Sequence, residues 1–285
     1  MGSIISSSAK MIAISFFLVN SSHGQTLFAY SPDSIRIAYQ VYGEGKGKPA
    51  LVFVHGWSCD RSYWKEQLES FSKQFKVIAI DLAGHGESGV GRKSWTMEAF
   101  GSDVAAVVRQ LKLDRVILIG HSMGGDVIAE AARRLRGKVI GLIMLDTYKK
   151  LGSGRNPEEV EAFVSTLRND FKDSTRNLVK TMFRADSDST LMNWVADAMS
   201  SAPPSIALDA LYHAFSYSRQ MPHTLEELKL PVIAINSDNA PTDIASMEHY
   251  GVKVMIMQHV GHFVMMEDPE QFNHLLRAAF DKLTQ

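Results

Sequence analysis

The sequence is poor in cysteine, in charge of one sign and in long apolar runs. Cys59 is the one cysteine among 285 residues, so no intrachain disulfide can form and folding must depend on an apolar core. Lysine and arginine number 30 against 31 aspartate and glutamate. This balance gives no reason to expect nucleic acid as a partner. The length suits one large domain, and 45% of the residues are apolar, as in ordinary globular proteins.

The N-terminal segment has the layout of a secretory signal peptide. Lys10 is the only charged residue before Asp33, and the largely apolar residues 11–19 follow it. This run is too short to span a bilayer as a helix, which needs about 20 residues. We predict cleavage after Gly24, with residues 1–24 as the leader and 25–285 as a mature, exported chain in the periplasm or outside the cell. No stable membrane insertion is expected, and N-myristoylation at Gly2 is the alternative.

Short apolar segments alternate with helix-like segments along the rest of the chain. The predicted strands cover residues 27–30, 35–42, 50–55, 76–81, 115–120, 139–146, 232–237 and 252–259. Apolar residues recur at helical spacing over 97–111 and 272–283. The alternation predicts an α/β fold: a doubly wound, mostly parallel eight-stranded sheet with helices on both faces.

The alternation is interrupted between residues 149 and 223, where helical patterns occur without a convincing strand. Pro157 and Pro204 stand where prolines begin helices. We predict a helical cap inserted between the sixth and seventh main strands, over the carboxyl ends of the sheet. Its large apolar side chains are candidates to line a substrate pocket: Met182, Phe183, Met192, Trp194, Met199, Tyr212, Phe215 and Tyr217.

The stretch Gly120-His121-Ser122-Met123-Gly124 follows a predicted strand and precedes a helical segment. A Gly-x-Ser-x-Gly sequence in that context is typical of a nucleophile elbow, a tight turn that exposes the serine hydroxyl. A serine hydroxyl is a weak nucleophile, so it needs a neighbouring base, a group that orients the base, and donors for the oxyanion. Ser122 is therefore the candidate nucleophile.

His262 is the candidate base, because it follows the last predicted strand and so lies at the same edge of the sheet as Ser122. His55, His85 and His121 lie in turns and are expected to be structural. His259 and His262 have the spacing of an H-x-x-H metal pair, but no further ligand cluster accompanies them. We therefore predict no metal site.

Backbone N–H groups at two turns are the candidate oxyanion donors. Gly56 follows the predicted strand 50–55 and allows the chain to turn, so that the Trp57 N–H is expected to point into the site. The Met123 N–H follows the nucleophile directly and is the second candidate.

A formal G-x-G-x-x-G pattern at residues 84–89 raises the alternative of dinucleotide binding. That function needs a helix to begin at the turn, where its N-terminus meets the pyrophosphate. Here the next helix is predicted to begin near residues 94–96. The segment is therefore predicted to be a loop, and no cofactor is expected.

These motifs together resemble the α/β-hydrolase fold family, in the subgroup with a helical cap. The matching residues are His55-Gly56-Trp57, Asp81-x-x-Gly84-His85-Gly86-x-Ser88, the serine motif with Gly125, and Gly261-His262-Phe263. The resemblance covers residues 35–282 and implies Ser122 as nucleophile and His262 as base. A serine at the elbow argues against the haloalkane dehalogenase and epoxide hydrolase branches, which place an aspartate there.

The triad acid is where this sequence departs from the family pattern. The resemblance implies an aspartate about nine residues after Pro231, but that position is Ala240. Asp238 comes two residues early. Asp146, at the end of another predicted strand, is the alternative, since some serine hydrolases of this fold supply the acid from there. Both residues remain candidates.

The resulting hypothesis is an exported serine hydrolase that cleaves a carboxylic ester of a small to medium hydrophobic substrate through an acyl-enzyme. A small-molecule ester is the one expected partner, and the oligomeric state is left open. Carbon–carbon bond hydrolysis and cofactor-free perhydrolysis would use the same triad. A ligand receptor built on a hydrolase scaffold is the alternative outside enzymes.

Overall fold

A computed structural model of the protein describes residues 24–284. The predicted leader, apart from Gly24, lies outside the described residues.

The sheet contains eight strands in the spatial order β1-β2-β4-β3-β5-β6-β7-β8. They are β1 (Leu27–Tyr30), β2 (Arg36–Tyr42), β3 (Ala50–Val54), β4 (Val77–Ile80), β5 (Val116–His121), β6 (Val139–Leu145), β7 (Val232–Ser237) and β8 (Val252–Met257). The first two strands pair antiparallel, and β3 to β8 run parallel. The prediction of a mostly parallel eight-stranded sheet is confirmed, with strand ends within two residues.

Apolar side chains on both faces explain why these segments form central strands. Every residue of β3, β4 and β5 is buried, as expected for parallel strands covered on each side. The register brings Val54 beside Gly120 and His121 beside Leu145. The carboxyl ends of β3, β5 and β6 therefore lie next to one another, and the residues that follow these strands meet there.

Eleven α-helices and one short 3₁₀ helix lie within residues 24–284. They are α1 (Lys65–Phe71), α2 (Met97–Gln110), α3 (Met123–Arg134), α4 (Pro157–Ser165), α5 (Phe171–Lys180), α6 (Ser189–Ser200), α7 (Pro204–Tyr217), α8 (Met221–Leu228), α9 (Ile244–His249), α10 (Val264–Glu267) and α11 (Pro269–Thr284), with the 3₁₀ helix at Arg61–Trp64. Helices α2, α3 and α8 pack together, and α1, α10 and α11 form a second group. None of the helices in the described part of the chain is both long and apolar enough to cross a bilayer.

Helices α4 to α8 all fall between β6 and β7. At the start of α4, the Asn156 side chain accepts a hydrogen bond from Glu159 N at 2.8 Å, and Glu159 Oε2 accepts one from Asn156 N at 3.0 Å. This capping box and the proline inside it fix the predicted helix start. The helical region extends to Leu228, five residues beyond the predicted end, because α8 continues the chain against α3.

Candidate active site

Ser122 lies in a strained turn between β5 and α3. Its backbone angles are φ 53° and ψ −122°, a region that costs a non-glycine residue on the order of 1–3 kcal/mol. The Ser122 N–H donates to Leu145 O at 2.8 Å, which ties the turn to β6. A Cβ on Gly120 would lie 2.2 Å from Gly124 O, and one on Gly124 would lie 2.6 Å from Val54 O. Only glycine fits at these two positions, and the elbow motif follows from that constraint.

His262 lies in the loop after β8, with its ring directed at a carboxylate. His262 Nδ1 is 2.8 Å from Asp146 Oδ2, and its side chain is 20% exposed. Its backbone N–H donates to Met182 O of the helical insertion at 2.8 Å. With a carboxylate at Nδ1, the neutral ring carries its proton there, and Nε2 keeps a free lone pair. This is the tautomer that a general base requires.

Asp146 follows β6 and is held in place by several donors. Its Oδ1 accepts hydrogen bonds from Ser237 N at 2.8 Å, Ser237 Oγ at 3.0 Å and Lys149 Nζ at 2.6 Å. Burial alone would raise the pKa of Asp146, but the hydrogen bond and charge of His262 and the Lys149 ammonium hold it below its usual range. Asp146 is therefore ionised where it meets the imidazole.

Asp238, the other candidate acid, has different partners. The backbone N–H groups of His259 and Val260 lower its pKa against a small effect of burial, with help from Arg184. Arg184 Nη1 lies 3.4 Å from its carboxylate. Asp238 is thus paired with a cation of the helical insertion. Of the two candidates, the structure brings Asp146 to the imidazole, and among the described residues Asp238 forms its ion pair with Arg184 instead.

The two predicted oxyanion donors lie beside the serine. Gly56 is so close that a Cβ there would be 3.2 Å from Ser122 Cβ, and Trp57 and Met123 line the same cavity as Ser122. Within residues 24–284, neither backbone N–H of these two residues donates to a protein acceptor. The Trp57 indole donates to Ala207 O of α7 at 2.7 Å, which fixes this turn against the helical insertion.

Three buried histidines brace the site rather than react in it. Burial lowers the pKa of His55 to about 4, and that of His85 and His121 to about 3, so all three are neutral at pH 7. His55 Nδ1 donates to Gly56 O at 2.8 Å, and its Nε2 accepts from Leu82 N at 3.0 Å. His121 Nε2 donates to the backbone oxygen of His262 at 2.9 Å. These bonds match the structural role expected from the sequence.

The G-x-G-x-x-G segment is a loop, as predicted. The next helix, α2, begins only at Met97. The buried Asp81 carboxylate organises the loop by accepting hydrogen bonds from Glu87 N at 2.9 Å and Arg61 N at 2.8 Å. The turn therefore closes on a carboxylate of the protein itself and has no helix N-terminus to meet a phosphate. Among the described residues, His259 and His262 belong to no group of three possible metal ligands.

A cavity of about 260 Å³ opens beside Ser122 and His262. The helical insertion contributes mainly apolar groups to it, among them Met182, Met199, Leu211, Ala214 and Phe215. Three of the eight predicted lining residues are present: Met182, Met199 and Phe215. Others face elsewhere. Trp194 is 46% exposed and packs on Tyr63, and the Tyr217 hydroxyl donates to the buried Glu130.

Sequence reasoning missed four residues around the site. Lys149 and Ser237 hold Asp146, while Asp126 and Tyr148 form a hydrogen-bonded pair at the cavity wall. The position of Asp126 four residues after Ser122 was the one available signal, since residues four apart share a helix face. No sequence pattern marks the other three.

Comparison with known proteins places the chain in a family. The model of the alpha/beta hydrolase family matches residues 51–275, and the chain belongs to that family. It is 25% identical over 248 residues to AB hydrolase superfamily protein YisY of Bacillus subtilis (strain 168), covering 81% of this chain and 91% of that protein.

Two further comparisons concern named activities. A non-heme haloperoxidase of Rhodococcus erythropolis is 33% identical over 142 residues, which are 48% of this chain and 51% of that protein. This likeness therefore covers about half of each chain. The structure of a thermophilic esterase from Thermogutta terrifontis superimposes with a TM-score of 0.78 at 25% identity, over 92% of this chain and 100% of that one.

Proposed function

We propose that this protein is a serine hydrolase that cleaves a carboxylic ester through an acyl-enzyme intermediate. The observation that carries the proposal is the convergence of Ser122, in its strained turn, and the His262–Asp146 pair on one apolar cavity. Family membership and the esterase among the structural neighbours support a hydrolase of this type.

The geometry supports a two-step reaction. Ser122 Oγ attacks the ester carbonyl carbon while His262 Nε2 takes its proton, and Asp146 stabilises the resulting imidazolium. The carbonyl oxygen becomes an oxyanion between the N–H groups of Trp57 and Met123, each contributing about 3–4 kcal/mol to the transition state. Collapse of this intermediate expels the alcohol, which receives the proton from His262. Water then attacks the acyl-enzyme by the same route, releasing the acid and restoring Ser122.

The size of the cavity favours a small ester. Its volume of about 260 Å³ lies just below the range of about 300–1,000 Å³ typical of small-molecule sites. The walls from the helical insertion are mostly apolar, so burial of a short alkyl or aryl group supplies the binding energy. We therefore expect acetyl to hexanoyl esters to be better substrates than long-chain ones.

Perhydrolysis is a second candidate, favoured by the haloperoxidase relative. In that reaction hydrogen peroxide replaces water in the second step and attacks the acyl-enzyme. The peroxide oxygen bonds to the acyl carbon, the Ser122 Oγ–acyl bond breaks, and Oγ recovers a proton through His262. The product is a peracid, and no cofactor takes part.

Ester turnover tests the proposal directly. Purified protein is assayed with nitrophenyl acetate, butanoate, hexanoate and dodecanoate, with and without hydrogen peroxide. We expect multiple turnovers on the short esters and a loss of at least about 10³-fold in Ser122→Ala. Ser165→Ala, an exposed serine at the end of α4, is the matched control and should keep full activity. Turnover that survives in Ser122→Ala contradicts the mechanism, and a single stoichiometric release points to the ligand receptor.

We also propose that the chain is exported, on the sequence pattern of residues 1–24 alone. The test is N-terminal sequencing of protein recovered from the periplasm or the medium of an expressing bacterium. A chain that starts at or near Gln25 is expected. Protein that stays inside the cell and still begins at Met1 contradicts export.

A further inference from the structure

A carboxyl group that the proposed reaction does not use lies in the wall of the cavity. Asp126 follows Ser122 by four residues, about one turn along α3, and both residues line the cavity. Asp126 is 4% exposed. A carboxylate is rarely buried in this way without a cation beside it. The charge state of Asp126 and its role in the cavity therefore need an explanation.

The partners of Asp126 indicate that it is a neutral acid. Tyr148 Oη donates to Asp126 Oδ1 at 2.6 Å, and within residues 24–284 no lysine, arginine or histidine forms an ion pair with this carboxyl. Burial raises the pKa of Asp126 to about 8, against the opposing effect of the Tyr148 hydrogen bond. Because the carboxyl is buried without a cation beside it and its Oδ1 accepts from the tyrosine, the neutral form at pH 7 carries its hydrogen on Oδ2.

That hydrogen has no acceptor in the protein. Among the described residues, Tyr148 is the one hydrogen-bond partner of Asp126, and Oδ2 has none. Because Asp126 lines the cavity, the O–H on Oδ2 is available to a bound molecule. A substrate that fills the cavity removes water from this donor, and a donor left unpaired costs free energy. A substrate oxygen that accepts this hydrogen bond is therefore favoured over an alkyl group at the same place.

Other ionisable groups near Asp126 belong to its own helix, the cavity wall and the neighbouring loops. They are Glu130 with its ion-pair partners Arg133 and Arg134, Tyr217, His121, His262, Arg155 and Cys59. Glu130 is paired with the two arginines, so its charge is compensated. The Arg155 guanidinium stacks 4.3 Å from the centre of the Phe215 ring. Tyr148 therefore remains the group in direct contact with Asp126.

We propose that Asp126 is a specificity residue that donates a hydrogen bond to a neutral oxygen of the substrate, such as a keto or ether oxygen, near the scissile ester. The substrate class is then an oxygen-substituted ester rather than a simple alkyl ester. This inference rests on the proposed ester hydrolysis. It adds that Asp126 supplies a polar contact near the reacting bond, in a cavity whose walls from the helical insertion are mostly apolar.

Matched ester pairs test the proposal on both sides of the scissile bond. On the acyl side, 3-oxobutanoate is compared with butanoate as the nitrophenyl ester. On the alcohol side, the 2-methoxyethyl ester of butanoic acid is compared with its butyl ester. The wild type is expected to have a higher kcat/KM for the oxygen-bearing member of one pair than for its partner. Asp126→Leu is expected to reduce this ratio about fivefold to tenfold, which is the effect of one neutral hydrogen bond. The difference in chemical reactivity between the two esters of a pair cancels, because the ratio of their kcat/KM values is compared between the wild type and the variant.

Asp126→Asn is the matched control, since an amide donates a hydrogen bond but does not titrate. It should retain the preference at every pH. In the wild type the preference should disappear as the pH rises through about 8, because ionised Asp126 has no hydrogen to donate. In Tyr148→Phe the loss should move to higher pH, since the tyrosine hydrogen bond lowers this pKa. The pH dependence of activity on the esters without the extra oxygen measures the contribution of His262 separately.

Binding separates the failure of this inference from the failure of ester hydrolysis. Dissociation constants for both members of each pair are measured by calorimetry with Ser122→Ala, alone and combined with Asp126→Leu. Tighter binding of an oxygen-bearing ester, lost with leucine, supports the inference even if the wild type hydrolyses nothing. The inference is overturned if Asp126→Leu keeps the same preference for the oxygen-bearing ester. It is also overturned if the wild type shows no such preference, or one that does not change from pH 6 to pH 10.

Discussion

Replacing Asp146 by asparagine removes the negative charge beside His262 while keeping the shape of the side chain. Asparagine Oδ1 can still accept the hydrogen bonds of Ser237, so its amide NH₂ is the group left to face His262 Nδ1 at 2.8 Å. The amide donates, and Nδ1 must therefore accept. The ring proton then moves to Nε2, the atom that has to take the proton of Ser122.

The expected loss follows from that change of tautomer. A mis-set tautomer in a serine triad costs about 10⁴ in turnover, which corresponds to about 5.4 kcal/mol of transition-state stabilisation. Asp238→Asn is the matched comparison, because Asp238 follows the adjacent strand but has Arg184 as its ion-pair partner, at 3.4 Å. We expect it to lower kcat by less than about tenfold, because the carboxylate at His262 Nδ1 is unchanged.

The assay is kcat on nitrophenyl butanoate for the wild type and both variants, with a thermal melt of each to show that the fold is kept. A folded Asp146→Asn variant with near wild-type kcat would refute the reasoning. A collapse in Asp238→Asn alone would refute it as well, and would assign the acid to β7.

Three further outcomes concern stability and the helical insertion. Gly120→Ala should fail to fold, or its free energy of unfolding should fall by several kcal/mol, because the new Cβ would lie 2.2 Å from a backbone oxygen. A denaturation midpoint equal to that of the wild type would contradict this. Burial lowers the pKa of His85 to about 3 from 6.5, so between those pH values the unfolded state binds more protons and the free energy of unfolding falls as the pH falls. His85→Gln should reduce this slope by about 1.4 kcal/mol per pH unit. An unchanged slope of unfolding free energy against pH would exclude a neutral buried histidine. Trp57→Phe removes the 2.7 Å hydrogen bond to Ala207 O. It should lower the free energy of unfolding by about 1 kcal/mol and raise the KM for the ester. An unchanged KM would mean that this bond does not fix the helical insertion beside the site.

Local patterns in the sequence were sufficient for the strands, the turn at Ser122 and the first helix of the insertion. Each depends on neighbours along the chain: unbroken apolar runs for buried strands, glycines where a Cβ would collide with the next turn, and Pro157 in the first turn of its helix. The edge of the sheet at which Ser122 and His262 both lie also follows from chain order, because parallel strands all end at the same edge.

The choice of Asp146 over Asp238 depended on the tertiary structure. The two residues follow adjacent parallel strands, β6 and β7, so chain order places both near His262. What separates them is which groups surround each carboxyl: Ser237 and Lys149 hold Asp146 beside the imidazole, while Asp238 is paired with Arg184. Lys149 is only three residues from Asp146, but Ser237 and Arg184 come from distant segments of the chain. No local pattern encodes how these groups meet the two carboxyls.

The same distinction applies to the cavity. The sequence determined that an apolar helical segment falls between β6 and β7, but five helices can rotate and pack in many ways. Only their packing decided that Phe215 faces the cavity, that Trp194 is half exposed, and that Asp126 is enclosed with a tyrosine as its partner. Side-chain burial and pKa depend on contacts between distant segments, and for that reason the chemistry of the cavity wall became visible only in the folded chain.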